Sequence, residues 1–164
     1  MNRQIHKSIG EELQMSSFLS DYQKAYLNLL FTANWYAVAI QKSLKKYGLT
    51  NAQYNVLRIL RGHQVVAMSA IDIQSRMIYS NSNVSRILEK LLEKKLIASV
   101  ACPENRRRNN VSITETGLAM LEVCEPIPLR IFEQMSEAIS EEEAGTLNDI
   151  LEKLRHVAMG FDNK

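Results

Sequence analysis

The chain has 164 residues, 46% of them hydrophobic, with 20 basic and 18 acidic side chains and a net charge of +2. Such a composition can bury a core and excludes disorder on compositional grounds, and the length suits one domain or a small domain with extensions. No apolar run approaches the roughly 20 residues that span a bilayer, and the first residues lack the apolar segment of a signal peptide.

Apolar residues recur mostly at helical spacing, with only 3 prolines and 6 glycines to interrupt them, so the chain is expected to be mainly α. Residues 1–19 read as a polar, loosely tied arm. A long helix follows from Asp21 to about Lys46, its stripe running through Tyr22, Tyr26, Leu29, Leu30, Ala33, Ala37 and Ile40, and Gly48 stops it. Thr50 and Gln53 form a capping box for a helix through Arg61, with Tyr54, Leu57, Ile59 and Leu60 as its apolar face and Gly62 as its end.

Val65 to Met68 suits one short strand. Ser69, with Asp72 three residues on, opens a short helix to about Met77, and residues 78–83 (IYSNSN) read as a tight turn. The next helix runs to about Lys94 with Val84, Ile87, Leu88 and Leu91 inward. Two short strands, Ile97 to Ala101 and Val111 to Ile113, then enclose an arginine triplet, which makes them a hairpin with a basic tip. Thr114 caps a helix from Thr116 to about Cys124, where Pro126 and Pro128 kink or break it, and Ser140 with Glu143 opens a last amphipathic helix through Leu147, Ile150, Leu151, Leu154 and Val157.

Charge is unevenly placed along these elements. Residues 1–75 carry 8 basic and 4 acidic side chains, residues 76–114 carry 8 and 3, and residues 115–164 carry 4 and 11, for net charges of +4, +5 and −7. The positive field therefore sits on the middle of the chain, where an anionic polymer can be held. The order there is helix, tight turn, helix, basic-tipped hairpin. A helix-turn-helix lays its second helix in the DNA major groove and reads bases near that helix's N-terminus.

With the apolar face inward, the opposite face carries Ser82, Asn83, Arg86, Glu89 and Lys90. Asparagine pairs with adenine and arginine with guanine through bidentate hydrogen bonds, while Ser80 and Ser82 can hold phosphate beside free backbone N–H groups. Taken singly, each of these residues reads equally well as a solvated polar position.

The motifs SNSNVSRILEKLLEKKLI (residues 80–97) and NRRRNNVSITETG (105–117) resemble the recognition helix and wing of the MarR family of winged helix-turn-helix regulators. The resemblance covers nearly the whole chain. It implies an N-terminal arm and dimerisation helix (1–48), a winged helix-turn-helix domain (49–117) and C-terminal dimerisation helices (118–164). The implied fold is mainly α with a small β-hairpin wing, and the implied function is a homodimer on a pseudo-palindrome in double-stranded DNA. Members usually act as repressors released by a small-molecule effector.

Arg107, flanked by Arg106 and Arg108, takes the place of the family's minor-groove arginine, and narrow A/T-rich grooves favour such a group electrostatically. Trp35, Tyr36 and Tyr54 lie on helices that resemble those lining the family's ligand pocket, although aromatics at helical spacing equally serve as core. Three departures stand out: Asn105 replaces the wing aspartate that would pair with Arg107, Lys95 replaces the glycine after the recognition helix, and Ile78-Tyr79 leaves the turn without glycine.

Enzymatic chemistry finds no support in this sequence. His6, His63 and His156 are scattered singly, there is no phosphate-binding glycine loop, and no nucleophile motif, cofactor site or metal-ligand spacing is present. Cys102 and Cys124 form no CxxC pair, so a reducing cytoplasm is the expected compartment. One reading from another class stays open: a winged-helix protein-interaction module without a specific DNA site.

Overall fold

The structure, a computed structural model, describes residues 7–63, 67–79, 82–101 and 109–158, with side chains to residue 156. The wing tip, including Cys102 and Arg106 to Arg108, lies outside the described residues, as do Ser80 and Asn81. Two compact units are present, Met1–Glu122 and Val123–Lys164.

The first unit begins with a helix, α1 (Ile9–Leu13), where the sequence pattern predicts only a loose arm. Its stop and start are both local. Ser8 and Glu11 form a reciprocal capping box, and these bonds, the Ser8 backbone N–H first, hold the Glu11 carboxyl below its ordinary pKa. Ile9 is the buried anchor, a single apolar residue too isolated to show a period in sequence.

Helix α2 (Asp21–Lys45) is capped by Ser20 and followed by Gly48 at φ 69°, the left-handed geometry that glycine adopts without a Cβ penalty. Only Leu44 of this 25-residue helix is buried. The predicted stripe is present but uncovered, and Tyr22 leaves 89% of its surface in solvent.

Helix α3 (Asn51–Arg61) starts from the Thr50–Gln53 capping box and ends at Gly62. Its inner face is corrected by one turn position: Val56 is fully buried with Tyr54, Leu57 and Leu60, while Ile59 is only half-buried. An amide clasp joins α3 to α2. Asn51 donates its backbone N–H to Gln41 Oε1 (3.0 Å) and its side-chain amide to the Ala37 carbonyl (2.8 Å), and Gln41 donates to the Leu49 carbonyl (3.2 Å).

Helices α4 (Ala70–Gln74) and α5 (Val84–Glu93) follow, then strands β1 (Ile97–Ala101) and β2 (Asn109–Ile113). The strands pair antiparallel from Ile97↔Ile113 to Ala101↔Asn109. Of the strand predicted before α4, Val65 and Val66 lie outside the described residues, and Met68 bridges Val111 on the other side of β2 through two backbone bonds of 3.0 and 2.8 Å. Leu57, Ile73, Leu91 and Val111 form the interior of this domain, all 2% exposed or less.

Helix α6 (Glu115–Cys124) starts one residue earlier than predicted, with Thr114 Oγ1 accepting the Gly117 N–H at 3.1 Å. Pro126 then opens a further helix, α7 (Pro126–Ala138), not foreseen from sequence. Proline at the first helical position loses no hydrogen bond, so the residue that ends one helix starts the next. Helix α8 (Glu141–Ala158) is capped by Ser140, and neither α7 nor the described part of α8 holds a buried residue.

Candidate nucleic-acid interface

Helix α4, only five residues long, starts from a capping box. Ser69 Oγ accepts the Asp72 N–H at 3.3 Å while the Asp72 carboxylate accepts the Ser69 N–H at 3.0 Å. The chain then turns, and the Ile78 N–H donates to Asn55 Oδ1 of α3 at 2.9 Å. Ser82 N–H donates to the Tyr79 carbonyl at 3.1 Å, closing the tight turn expected before α5.

Asn83 is the N-cap of α5. Its Oδ1 accepts the Arg86 N–H at 3.1 Å, so the oxygen that would read adenine already serves the helix start. The exposed side chain has its NH₂ group left to donate. No acidic residue occupies the first turn of α5, which leaves the positive end of its dipole unopposed toward an anion.

Along α5, Val84, Leu88 and Leu91 are buried and Ile87 half-buried, so Arg86, Glu89 and Lys90 face solvent as expected, with Ser82 half-buried just ahead. Lys90 is not a free cation. Its ammonium is paired with Glu93 at 2.8 Å, both groups at least half exposed. An exposed pair of this kind contributes about 0.5 kcal/mol or less, small enough to exchange for a phosphate.

The end of α5 is a Schellman motif, with Leu96 N–H donating to the Leu91 carbonyl (3.0 Å) and Lys95 N–H to that of Leu92 (2.8 Å). Lys95 stands at φ 58°, so the departure from glycine falls on a residue that is left-handed. Thr114 holds this turn from the far end of the hairpin, its hydroxyl donating to the Lys95 carbonyl at 2.8 Å and its N–H to that of Leu96 at 3.1 Å. Gly117 lies directly against it. A Cβ there would overlap the Leu96 carbonyl oxygen and come within 2.7 Å of Ile113 Cγ1, so only glycine fits.

At this same end of α5, the ammonium of the C-cap residue Lys94 donates to the Gly48 carbonyl and to Gln53 Oε1 (3.3 Å). Neither Asn55 nor Lys94 figured among the sequence candidates. Their roles depend on partners 23 and 46 residues away, and the one cue was a polar residue on the otherwise apolar side of α3.

The aromatic candidates separate. Trp35 and Tyr36 meet edge to face at 5.1 Å, with Trp35 largely exposed. Tyr54 is buried, carries the Arg58 guanidinium 5.9 Å from its ring, and has a hydroxyl without a hydrogen-bond partner among the described residues.

A family model, MarR family, matches residues 49–108. The chain is 27% identical over 127 residues to the HTH-type transcriptional regulator MhqR of Bacillus subtilis, covering 76% of this chain and 85% of that one. It is also 27% identical over 121 residues to the HTH-type transcriptional repressor IacR of Pseudomonas putida, covering 74% and 71%. Among solved structures, the fold is similar to MepR of S. aureus in a DNA complex, with a TM-score of 0.74, 23% identity, and 86% and 99% of the two chains covered.

Proposed function

We propose that the chain is a MarR-family DNA-binding transcriptional regulator, a homodimeric repressor of a pseudo-palindromic operator, a reading supported by the family model's match to residues 49–108. One observation carries this reading. The helix that follows the tight turn presents Asn83, Arg86 and Lys90 to solvent, has an N-terminus free of acidic residues, and leads into a hairpin whose tip carries three arginines. In this reading α5 enters the major groove, Ser80 and Ser82 hold phosphate, and Arg86 reads a base edge. Arg107, between Arg106 and Arg108, reaches the minor groove.

The two-fold assembly is supported by the uncovered stripes on α2, α7 and α8. Among the described residues these three helices bury Leu44 alone, and such exposed stripes favour association in water. Two recognition helices then address half-sites about one DNA turn, roughly 34 Å, apart. The relatives are transcriptional regulators and one is a repressor, which supports a regulatory, non-enzymatic role. A small-molecule effector would bind beside Trp35, Tyr36 and Tyr54, where the buried Tyr54 hydroxyl, without a partner among the described residues, supports a polar ligand atom.

Selection of binding sites from a random duplex pool tests the reading. A reproducible palindrome is expected, bound with an affinity that falls steeply as salt rises, because residues 76–114 carry a net +5. In the selected site Arg86→Ala should relax base preference, whereas Arg107→Ala should weaken binding and reduce preference for A/T flanks. Failure to enrich any sequence, with a flat salt dependence, would favour the protein-interaction module instead.

A further inference from the structure

We infer that α3 sets the tilt of the recognition helix through two side-chain clamps, Asn55 at its entrance and Lys94 at its exit, and that both are positioning residues for base reading rather than DNA ligands. The inference rests on the reading of α5 as the recognition helix.

At the entrance, Asn55 of α3 accepts the Ile78 N–H at 2.9 Å. The Ile78 side chain is 78% exposed, so packing of that side chain does not hold the turn in place; the backbone bond does. At the exit, the C-cap residue Lys94 donates one ammonium to two acceptors, the Gly48 carbonyl and Gln53 Oε1. Gln53 is 7% exposed, and the same oxygen accepts the Thr50 N–H at 3.1 Å. The ammonium therefore meets an acceptor that is itself fixed by a capping box.

Helix α5 has 10 residues, a rod of about 15 Å. Burial of Val84, Leu88 and Leu91 seats this rod, and the Asn55 bond to the turn ahead of it and the Lys94 bonds at its C-cap trim its angle. Gln53 and Asn55 sit two residues apart on α3, so a single helix supplies both references. Two of the three Lys94 donors are engaged at the α2–α3 junction, which sets this residue apart from the phosphate ligand that its charge alone suggests.

Base reading and phosphate attraction respond differently to loss of such a clamp. Bidentate contacts to base edges need placement to within about 0.5 Å, whereas counterion release from the backbone tolerates small shifts. Loosening the clamp should therefore lower affinity for the selected site and spare affinity for random DNA.

The experiment compares Lys94→Met, Lys94→Arg and Asn55→Ala with the wild type on the selected duplex and on a random duplex of equal length, across salt. Lys94→Met and Asn55→Ala should each bind the selected duplex roughly tenfold more weakly, with random-duplex affinity and salt slope unchanged. Lys94→Arg, which keeps a donor, should retain the wild-type ratio. A Lys94→Met chain that weakens on both duplexes alike, with a salt slope lower by about one, makes Lys94 a phosphate ligand and overturns the clamp. So does a chain that loses its fold by circular dichroism, which assigns the residue to stability alone. A wild type that discriminates while all three variants match it sinks the clamp and leaves the DNA reading intact; a wild type that cannot discriminate overturns both.

Discussion

The winged domain of residues 49–117 and the second unit solve the same problem, where to put apolar surface, in opposite ways. Leu57, Ile73 and Leu91 of the winged unit are wholly shielded within one chain, whereas Phe132 on α7 leaves 59% of its surface in water and Leu154 on α8 leaves 52%. Their glycines differ in parallel. Gly117 has no room for even a methyl group, while a Cβ at Gly145 would meet nothing within 4 Å. The winged unit thus carries its own jigsaw and tolerates no change of shape at its tight points. The second unit leaves its apolar surface uncovered within one chain.

The sharpest way to break this comparison is Gly117→Val. It drives a side chain into the Leu96 carbonyl and Ile113, and is expected to lower stability by about 3 kcal/mol or more in urea denaturation. Stability within 0.5 kcal/mol of wild type would show that α6 does not depend on this close approach. Next in size is Phe132→Asp. It places a charge in the uncovered α7 stripe and should weaken self-association about thirtyfold by sedimentation equilibrium, roughly 2 kcal/mol. An unchanged association constant would mean that this stripe faces water in the assembly as well. The smallest change is Lys95→Gly, which removes a side chain from a left-handed position and should raise stability by about 1 kcal/mol. A neutral or destabilising result would indicate that the Thr114 bond already holds that turn without strain.

What could be read from sequence follows the range of the interaction involved. Capping boxes at Thr50–Gln53, Ser69–Asp72 and Ser140–Glu143 are complete within four residues, and each marks a helix start where expected. The strand Ile97–Ala101 and the Val111–Ile113 part of the second follow from β-branched alternation, whereas Asn109 and Asn110, which also join the second strand, carry no such signal. By contrast α7 begins at a proline that equally signals a break, and α1 rests on one buried isoleucine.

The candidate site divides along the same line. That Arg86 faces outward follows from the period of α5, but the Lys90–Glu93 pair and the capping duty of Asn83 are choices among rotamers that no period encodes. Asn55 and Lys94 act across the fold, and their partners become visible only once α3 and α5 are side by side. Likewise the stripe of α2 is legible as apolar, but sequence cannot say whether its cover comes from the same chain.

Thr114 has a consequence beyond the turn it holds. One residue fastens the base of the hairpin to both neighbouring helices, to α5 through Lys95 and Leu96 and to α6 through Gly117. Ring closure is thereby completed below Ile97 and Ile113, and the entropy of whatever lies beyond Ala101 and Asn109 grows only slowly with its length. The tip becomes a module that evolution can lengthen, shorten or recharge while the helices beneath keep their places.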